Sequence, residues 1–316
     1  MMNSLVTLDG LAPADIEQLF LHARLLKRLR GRTGPQPQPL ARRTVALLFE
    51  KPSLRTRVSF EVGAGELGGR SLSLSPQEVG LGARESVADV ARVLSGYVHV
   101  VVLRTFSHRT VEEFARHATI PVINGLSDLH HPCQGLTDLF TIAERFGALS
   151  GLTLAYVGDG NNVAHSLVQA AVKMGVSVRI ATPRGYEPDA TILASATAEA
   201  AKTGASVAVT NDPASAVADA QIVYTDVWTS MGQEAEVALR RAVFAGYQVN
   251  RRLLALAAPD AIVMHPLPAH RGEEITDEAL DGSQAAVFTQ AENRLHVQKA
   301  ILSALVASQV SIGIAV

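Results

Sequence analysis

The sequence predicts an α/β protein of two domains, each a parallel sheet covered by helices on both faces, with a C-terminal helix returning to the first domain. Three observations carry this expectation. Short, continuously apolar, β-branched runs recur along the chain, as strands buried on both faces require. Amphipathic patterns of about 10–15 residues separate them, which is the alternation of parallel βαβ units. The length of 316 residues suffices for two cores of ordinary size.

The elements follow in order. GRTGPQPQPL (31–40) reads as a loop, because glycine and proline interrupt any period. TVALLF (44–49) is the first strand, and SVADVARVLSGY (86–97) is a helix leading into the strand VHVVVL (98–103). RTVEEFARHA (109–118) is a helix, and PVI (121–123) a short strand. GALSG (147–151) breaks two strong patterns and sets the boundary, so the first domain is expected over residues 1–147 with 295–316, and the second over 148–294. The second contains strands at LTLAYV (152–157), SVRIAT (177–182), QIVYT (221–225) and AIVMH (261–265). Its helices are NVAHSLVQAAVKMG (162–175) and PDATILASATAEAAKTG (188–204), and ENRLHVQKAILSALVAS (292–308) is a helix with no strand after it. About four βα units are expected on each side of the boundary.

Composition removes several classes of function. Hydrophobic residues at 47% and charged residues at 18% describe a packed chain and exclude a disordered one. A formal charge of −2, from 28 basic and 30 acidic residues, gives no reason to expect nucleic acid or a membrane as partner. One cysteine, Cys133, excludes an internal disulfide and fits a reducing compartment. MMNSLVTLDGLAP lacks the basic and apolar regions of a secretion signal, and no uncharged apolar stretch is long enough to span a bilayer. A soluble, cytoplasmic protein is expected.

In open α/β sheets ligands bind beyond the carboxyl ends of the strands. At those positions stand KPSLRTR after the first strand, Arg104 with TFSHRT, NGLSDLHHPCQ, GDGNN, DVWTSMG and PLPAHRGEE. KPSLRTR at a helix start is an anion site on physical grounds. Free N–H groups and the positive dipole end meet hydroxyls from Ser53 and Thr56 and forked donors from Arg55 and Arg57. Arg104 and His131 add cations at the same edge. The glycines of a P-loop are absent. GDGNN suggests a nicotinamide site, but Val163 stands where the third glycine belongs. TPRG stands where an acidic ribose ligand belongs, so the dinucleotide reading fails two checks. His265 and His270 are separated by two prolines and lack a convincing ligand spacing. No metal is expected.

In this order FEKPSLRTR, HPCQ, VGDGNN, DVWTSMGQE and HPLPAHRGEE resemble the aspartate/ornithine carbamoyltransferase family, and DVWTSMG resembles its ornithine branch. The resemblance spans residues of about 40 to 300. It implies two α/β domains, assembly as a homotrimer or a multiple of trimers with shared sites, and no cofactor. It also implies transfer of the carbamoyl group of carbamoyl phosphate to the δ-amine of ornithine, giving citrulline and phosphate. The matched positions for carbamoyl phosphate are Ser53, Leu54, Arg55, Thr56, Arg57, Arg104, His131, Gln134, Leu267 and Arg294. Asn162, Asp226, Ser230 and Met231 match positions for the amino acid. Arg104, His131, Asp226 and Pro266 fall at the reacting centre.

Three departures from the family pattern stand out. Leu54 replaces the usual threonine and removes one hydroxyl donor. Gly80 stands where many relatives carry a glutamine that reaches a neighbouring subunit, with Gln77 and Arg84 nearby as polar candidates. Pro266 occupies the usual cysteine position of the ornithine branch and offers neither a thiol nor a backbone N–H. The aspartate branch carries His-Pro-Leu-Pro, yet DVWTSMG supplies no arginine for a second substrate carboxylate. Other readings are a carbamoyltransferase for another amine, such as putrescine or an acylated ornithine, and an inactive regulatory relative.

Overall fold

Nine strands in two parallel sheets organise the chain in a computed structural model that describes residues 3–230 and 232–310. The chain divides into two units, Met1–Leu136 with Asn293–Val316, and Thr137–Glu292.

In the first unit the sheet runs β2-β1-β3-β4, formed by β1 (Thr44–Phe49), β2 (Arg70–Leu74), β3 (Val100–Arg104) and β4 (Val122–Leu126). Helices α1 (Pro13–Leu29), α2 (Leu54–Glu66), α3 (Pro76–Val79), α4 (Val87–Tyr97), α5 (His108–His117) and the start of α6 (Pro132–Phe146) accompany it. β1 and β3 are central and buried because Ala46, Leu48, Val101 and Leu103 pack with Val111 and Phe114 of α5. Each such side chain contributes about 1.5–3 kcal/mol by leaving water. β2 escapes the sequence pattern: RSLSL forms the sheet edge and its first three residues are exposed, so polar serines suffice there. Register places Phe49 beside Arg104. The β3–β4 pairing then slips between Leu103 and Arg104. Gly125 sits at that slip, where a Cβ would lie 3.0 Å from the Leu103 carbonyl oxygen.

The second unit is a five-stranded sheet of order β7-β6-β5-β8-β9, one strand more than expected. Its strands are β5 (Thr153–Val157), β6 (Ser177–Ala181), β7 (Val207–Thr210), β8 (Ile222–Thr225) and β9 (Ile262–Met264). Its helices are α7 (Asn162–Lys173), α8 (Ala190–Thr203), α9 (Pro213–Val217), α10 (Val237–Phe244), α11 (Arg251–Leu254), α12 (Asp277–Asp281) and the first turns of α13 (Val287–Val310). α7 is buried along almost its whole length, Val163 to Val172. From Asn293 onward α13 groups with the first unit, where Lys299 bonds Glu66 at 2.6 Å and Lys27 bonds Asn293 at 2.7 Å.

In each sheet the strand order reverses direction once, beside β1/β3 and beside β5/β8. Adjacent helices leave toward opposite faces at such a point and open a crevice beyond the strand ends. Val157 pairs with Thr225 there, so the loops after β5 and β8 emerge side by side. No helix among the described residues is long and apolar enough to cross a membrane.

Candidate functional site

The first unit gathers cations at the start of α2. Ser53 caps the helix, its Oγ accepting from the Thr56 amide at 3.2 Å. Thr56 is fully buried, and its Oγ1 accepts from Arg294 Nη2 at 2.7 Å. Arg104, at the end of β3, is buried, and its pKa is pushed down to about 10 by burial, then by Arg294 and Arg55. Burial also holds the His131 imidazole well below its ordinary value, helped by Arg294, Arg104 and Arg55. His131 is therefore a neutral donor at physiological pH. Its carbonyl closes the first turn of α6 by accepting from Gln134 N at 3.0 Å, and the Gln134 side chain is buried beside it. Three guanidiniums thus raise one another's electrostatic cost, and such a cluster of cations at a helix N-terminus suits an anion.

Arg57 stands apart from this cluster. Its Nε bonds Glu61 at 3.0 Å on the helix surface, and Glu61 also accepts from Ser73 Oγ at 2.6 Å. Two residues along a helix turn about 200°, so Arg55 and Arg57 face opposite ways. Leu54 is 73% exposed. Gly80 ends α3 with φ +61°, and a Cβ would come within 2.7 Å of Arg84 Cβ. The turn itself demands glycine there. Gln77 is exposed, while Arg84 donates to the Glu78 carbonyl oxygen at 2.8 Å.

The second unit builds a carboxylate site after β8. Asp226 is buried; its Oδ1 accepts from Val227 N at 2.8 Å and its Oδ2 from Asn161 Nδ2 at 2.9 Å. Burial raises its pKa, against the pull of His265 and these hydrogen bonds. Asn161 also caps α7 through Oδ1, so its side chain is used at both ends. Asn162, the residue matched from sequence, is the half-buried first residue of α7. Ser230 N donates to Gln233 Oε1 at 3.0 Å, and Met231 lies outside the described residues. Arg240 braces this loop: Nη1 bonds the Trp228 carbonyl at 2.9 Å and Asp159 at 3.0 Å, and Nε bonds Glu236 at 2.8 Å. Asp159 is still pushed up to about 6, because burial outweighs its arginine.

His265 shapes the turn that follows β9. Its Nδ1 accepts from Leu267 N at 2.9 Å, which places the ring proton on Nε2, facing Glu274 Oε1 at 3.0 Å. Both side chains are fully buried. The bond holds Leu267 at φ +59°, a region a branched residue adopts only when its surroundings impose it. Pro266 is buried between them and brings no proton donor. Asn161, His265 and Glu274 were missed as site residues. The repeated Asn of GDGNN and the acid of HRGEE are the signals that point to them. His270, Glu273 and Glu274 come within 4.8 Å of one another, but Arg241 takes Glu273, and His265 and the His270 amide take Glu274. Those carboxylates already serve internal donors.

Fold and site together define a two-domain α/β protein with an anion cradle on one unit and a buried carboxylate for a cationic group on the other. Residues 3–144 match the carbamoyl-P binding domain, and 150–305 the Asp/Orn binding domain, of aspartate/ornithine carbamoyltransferase. An ornithine carbamoyltransferase of Symbiobacterium thermophilum is 53% identical over 302 residues, covering 96% of this chain and 97% of that one. That of Bacillus subtilis is 54% identical over 309 residues, covering 96% and 93%. The solved ornithine carbamoyltransferase from Pyrococcus furiosus superposes with a TM-score of 0.94 at 48% identity, covering 96% and 97%. The chain belongs to the aspartate/ornithine carbamoyltransferase family.

Proposed function

We propose that this protein transfers the carbamoyl group of carbamoyl phosphate to the δ-amine of L-ornithine, releasing L-citrulline and phosphate. The observation that carries the reading is the convergence of Arg55, Arg104, Arg294 and neutral His131 on the α2 N-terminus. A dianionic phosphate brings the negative charge that offsets the mutual repulsion of these cations. Ser53, Arg55, Thr56 and Arg294 hold the phosphate, while Arg104, His131 and Gln134 serve the carbamoyl group. As the amine lone pair forms the C–N bond, negative charge grows on the carbonyl oxygen, and Arg104 and His131 donate to it. Such donors lower a barrier by about 3–4 kcal/mol each. The C–O bond to phosphate then breaks, and the departing phosphate collects the amine proton, so the chemistry balances without a cofactor.

On the second unit Asp226, with Asn161 and Asn162, takes an ammonium group of ornithine, and the Ser230–Met231 backbone takes its amino-acid head. The resemblance assigns the turn at Pro266 and Leu267 to the reacting groups. In this reading the carbamoyl-phosphate domain is the unit that carries the arginine cluster, Met1–Leu136 with Asn293–Val316, and the ornithine domain is Thr137–Glu292. Production of citrulline from carbamoyl phosphate and ornithine, tested against putrescine, aspartate and acetylornithine, checks the acceptor; turnover of putrescine or acetylornithine above that of ornithine refutes it.

The assembly we propose is a cytoplasmic homotrimer or a multiple of trimers. Leu54, Val58 and Val62 form an exposed apolar stripe along α2, with exposed Leu72 on the neighbouring edge strand. Apolar faces of this kind mark contacts between chains. Sedimentation is expected at about three times 33.5 kDa or a multiple of it, and a stable, fully active monomer refutes the shared-site assembly.

A further inference from the structure

Two loops of the first unit meet through a buried histidine and serine. His108, four residues after Arg104, opens α5, and Ser127 lies four residues before His131. His108 Nδ1 is 2.9 Å from Ser127 Oγ, and the His108 amide donates to Asp128 Oδ1 at 2.7 Å. Ser127 Oγ accepts from the His130 amide at 3.1 Å and from Asn124 Nδ2 at 3.3 Å. A hydroxyl has two lone pairs and one proton, and these two donors approach its lone pairs. The proton goes either to His108 Nδ1 at 2.9 Å or to the His130 carbonyl at 3.3 Å. That carbonyl already accepts the Ser127 amide at 2.9 Å, so the shorter contact wins and His108 Nδ1 is the acceptor. The ring proton then sits on Nε2, on the side of Glu112, whose carboxylate is 4.0 Å away. Burial keeps the ring neutral, against Glu112 and Asp128. The His130 ring meets His108 edge to face, 4.8 Å between centroids.

We infer that His108 and Ser127 are positioning residues: through His108 Nδ1 and Ser127 Oγ they set the turn that presents His131 and hold it in register with Arg104. Neither touches substrate. The two residues that polarise the carbonyl lie at the end of β3 and in the connection after β4, and this contact ties the loop that follows Arg104 to the one that precedes His131. Past the slip in strand pairing between Leu103 and Arg104, the Thr105 amide still bonds the Leu126 carbonyl at 2.9 Å, and the His108–Ser127 contact extends that tie to the turn before His131.

The inference rests on the carbamoyl-transfer reading, and two variants of one residue test it separately. The amide of asparagine overlays Nδ1 of histidine, whereas that of glutamine reaches toward Nε2. His108→Asn is expected to keep kcat within about fivefold of wild type. His108→Gln and Ser127→Ala are expected to lose about 10- to 100-fold, the effect of displacing a reacting group by up to 1 Å. KM for ornithine stays within about threefold in all three, because the ornithine residues are on the other unit. Equal kcat in the Asn and Gln variants, or loss confined to the ornithine KM, overturns the positioning role. If either His108 variant fails to fold, Ser127→Ala decides: kcat within about twofold of wild type overturns the inference, and a loss of tenfold or more with an unchanged Tm supports it. A wild type that makes no citrulline refutes the carbamoyl-transfer reading instead.

Discussion

Replacing Arg104 by glutamine should separate stability from catalysis. In the ligand-free protein the guanidinium is buried near Arg294 and Arg55, and its pKa falls from the ordinary arginine range to about 10. At about 1.4 kcal/mol per pH unit, this fall corresponds to roughly 3 kcal/mol of unfavourable energy in the charged, folded state. The folded value lies below the unfolded one, so the cost is present in full below pH about 10 and disappears only as pH rises through the ordinary arginine range. An assay at neutral pH therefore sees all of it. The variant removes this cost and also forfeits hydrogen bonds, each contributing about 1 kcal/mol. Ligand-free Arg104→Gln is thus expected to match wild type or exceed it by up to about 2 kcal/mol. At about 2–4 °C per kcal/mol that is a Tm increase of between zero and roughly 8 °C. Inorganic phosphate should raise the wild-type Tm more than the variant's, and kcat should fall at least about a hundredfold. Differential scanning calorimetry with and without phosphate, alongside a citrulline assay, measures both. A ligand-free Tm more than about 5 °C below wild type refutes the account of a strained cradle. A kcat within tenfold of wild type refutes the placement of Arg104 at the reacting carbonyl.

Three further outcomes are expected. With Pro266 in the turn after β9, kcat at saturating ornithine should climb with pH toward the amine's own pKa of about 10.4, with no thiol-like step near 8.5. On the acid side, burial raises the Asp226 pKa, so activity should fade above the ordinary carboxylate range as that group gains its proton. Pro266→Cys should shift the alkaline rise to lower pH, and coincident profiles from pH 6 to 10 exclude a role for side chain 266. Arg57→Ala removes an exposed pair with Glu61 worth about 0.3–0.5 kcal/mol; its carbamoyl-phosphate KM should stay within about threefold while Arg55→Ala raises it at least tenfold, and equal effects would place both arginines at the phosphate. Cys133 is buried and its thiol is pushed up to about 12, so iodoacetamide at pH 8 should leave native protein unmodified; rapid stoichiometric labelling would contradict that burial.

Much of this protein is determined locally and is legible in residue order. Strands such as VVVL and LAYV are buried on both faces of a parallel sheet, so continuous apolarity marks them unambiguously. Glycines, prolines and charges gather at strand ends because loops there meet solvent and ligand. The motif order therefore carries both the two-domain class and the family. Where local pattern is weak, only the tertiary structure decided. β2 and β7 hold polar or half-exposed side chains, RSLSL at a sheet edge and VAVT at another, so nothing in their apolarity announced them. KPSLRTR offers two arginines alike in composition, and helical geometry sends Arg55 inward and Arg57 to Glu61. GDGNN offers two asparagines, and the cap of α7 turns Asn161 toward Asp226. The bond from His108 to Ser127 and the pair His265–Glu274 join residues 19 and 9 positions apart. The first contact arises because sheet register brings the loops after β3 and β4 together, and the second because the connection from β9 to α12 folds back on itself; residue spacing encodes neither.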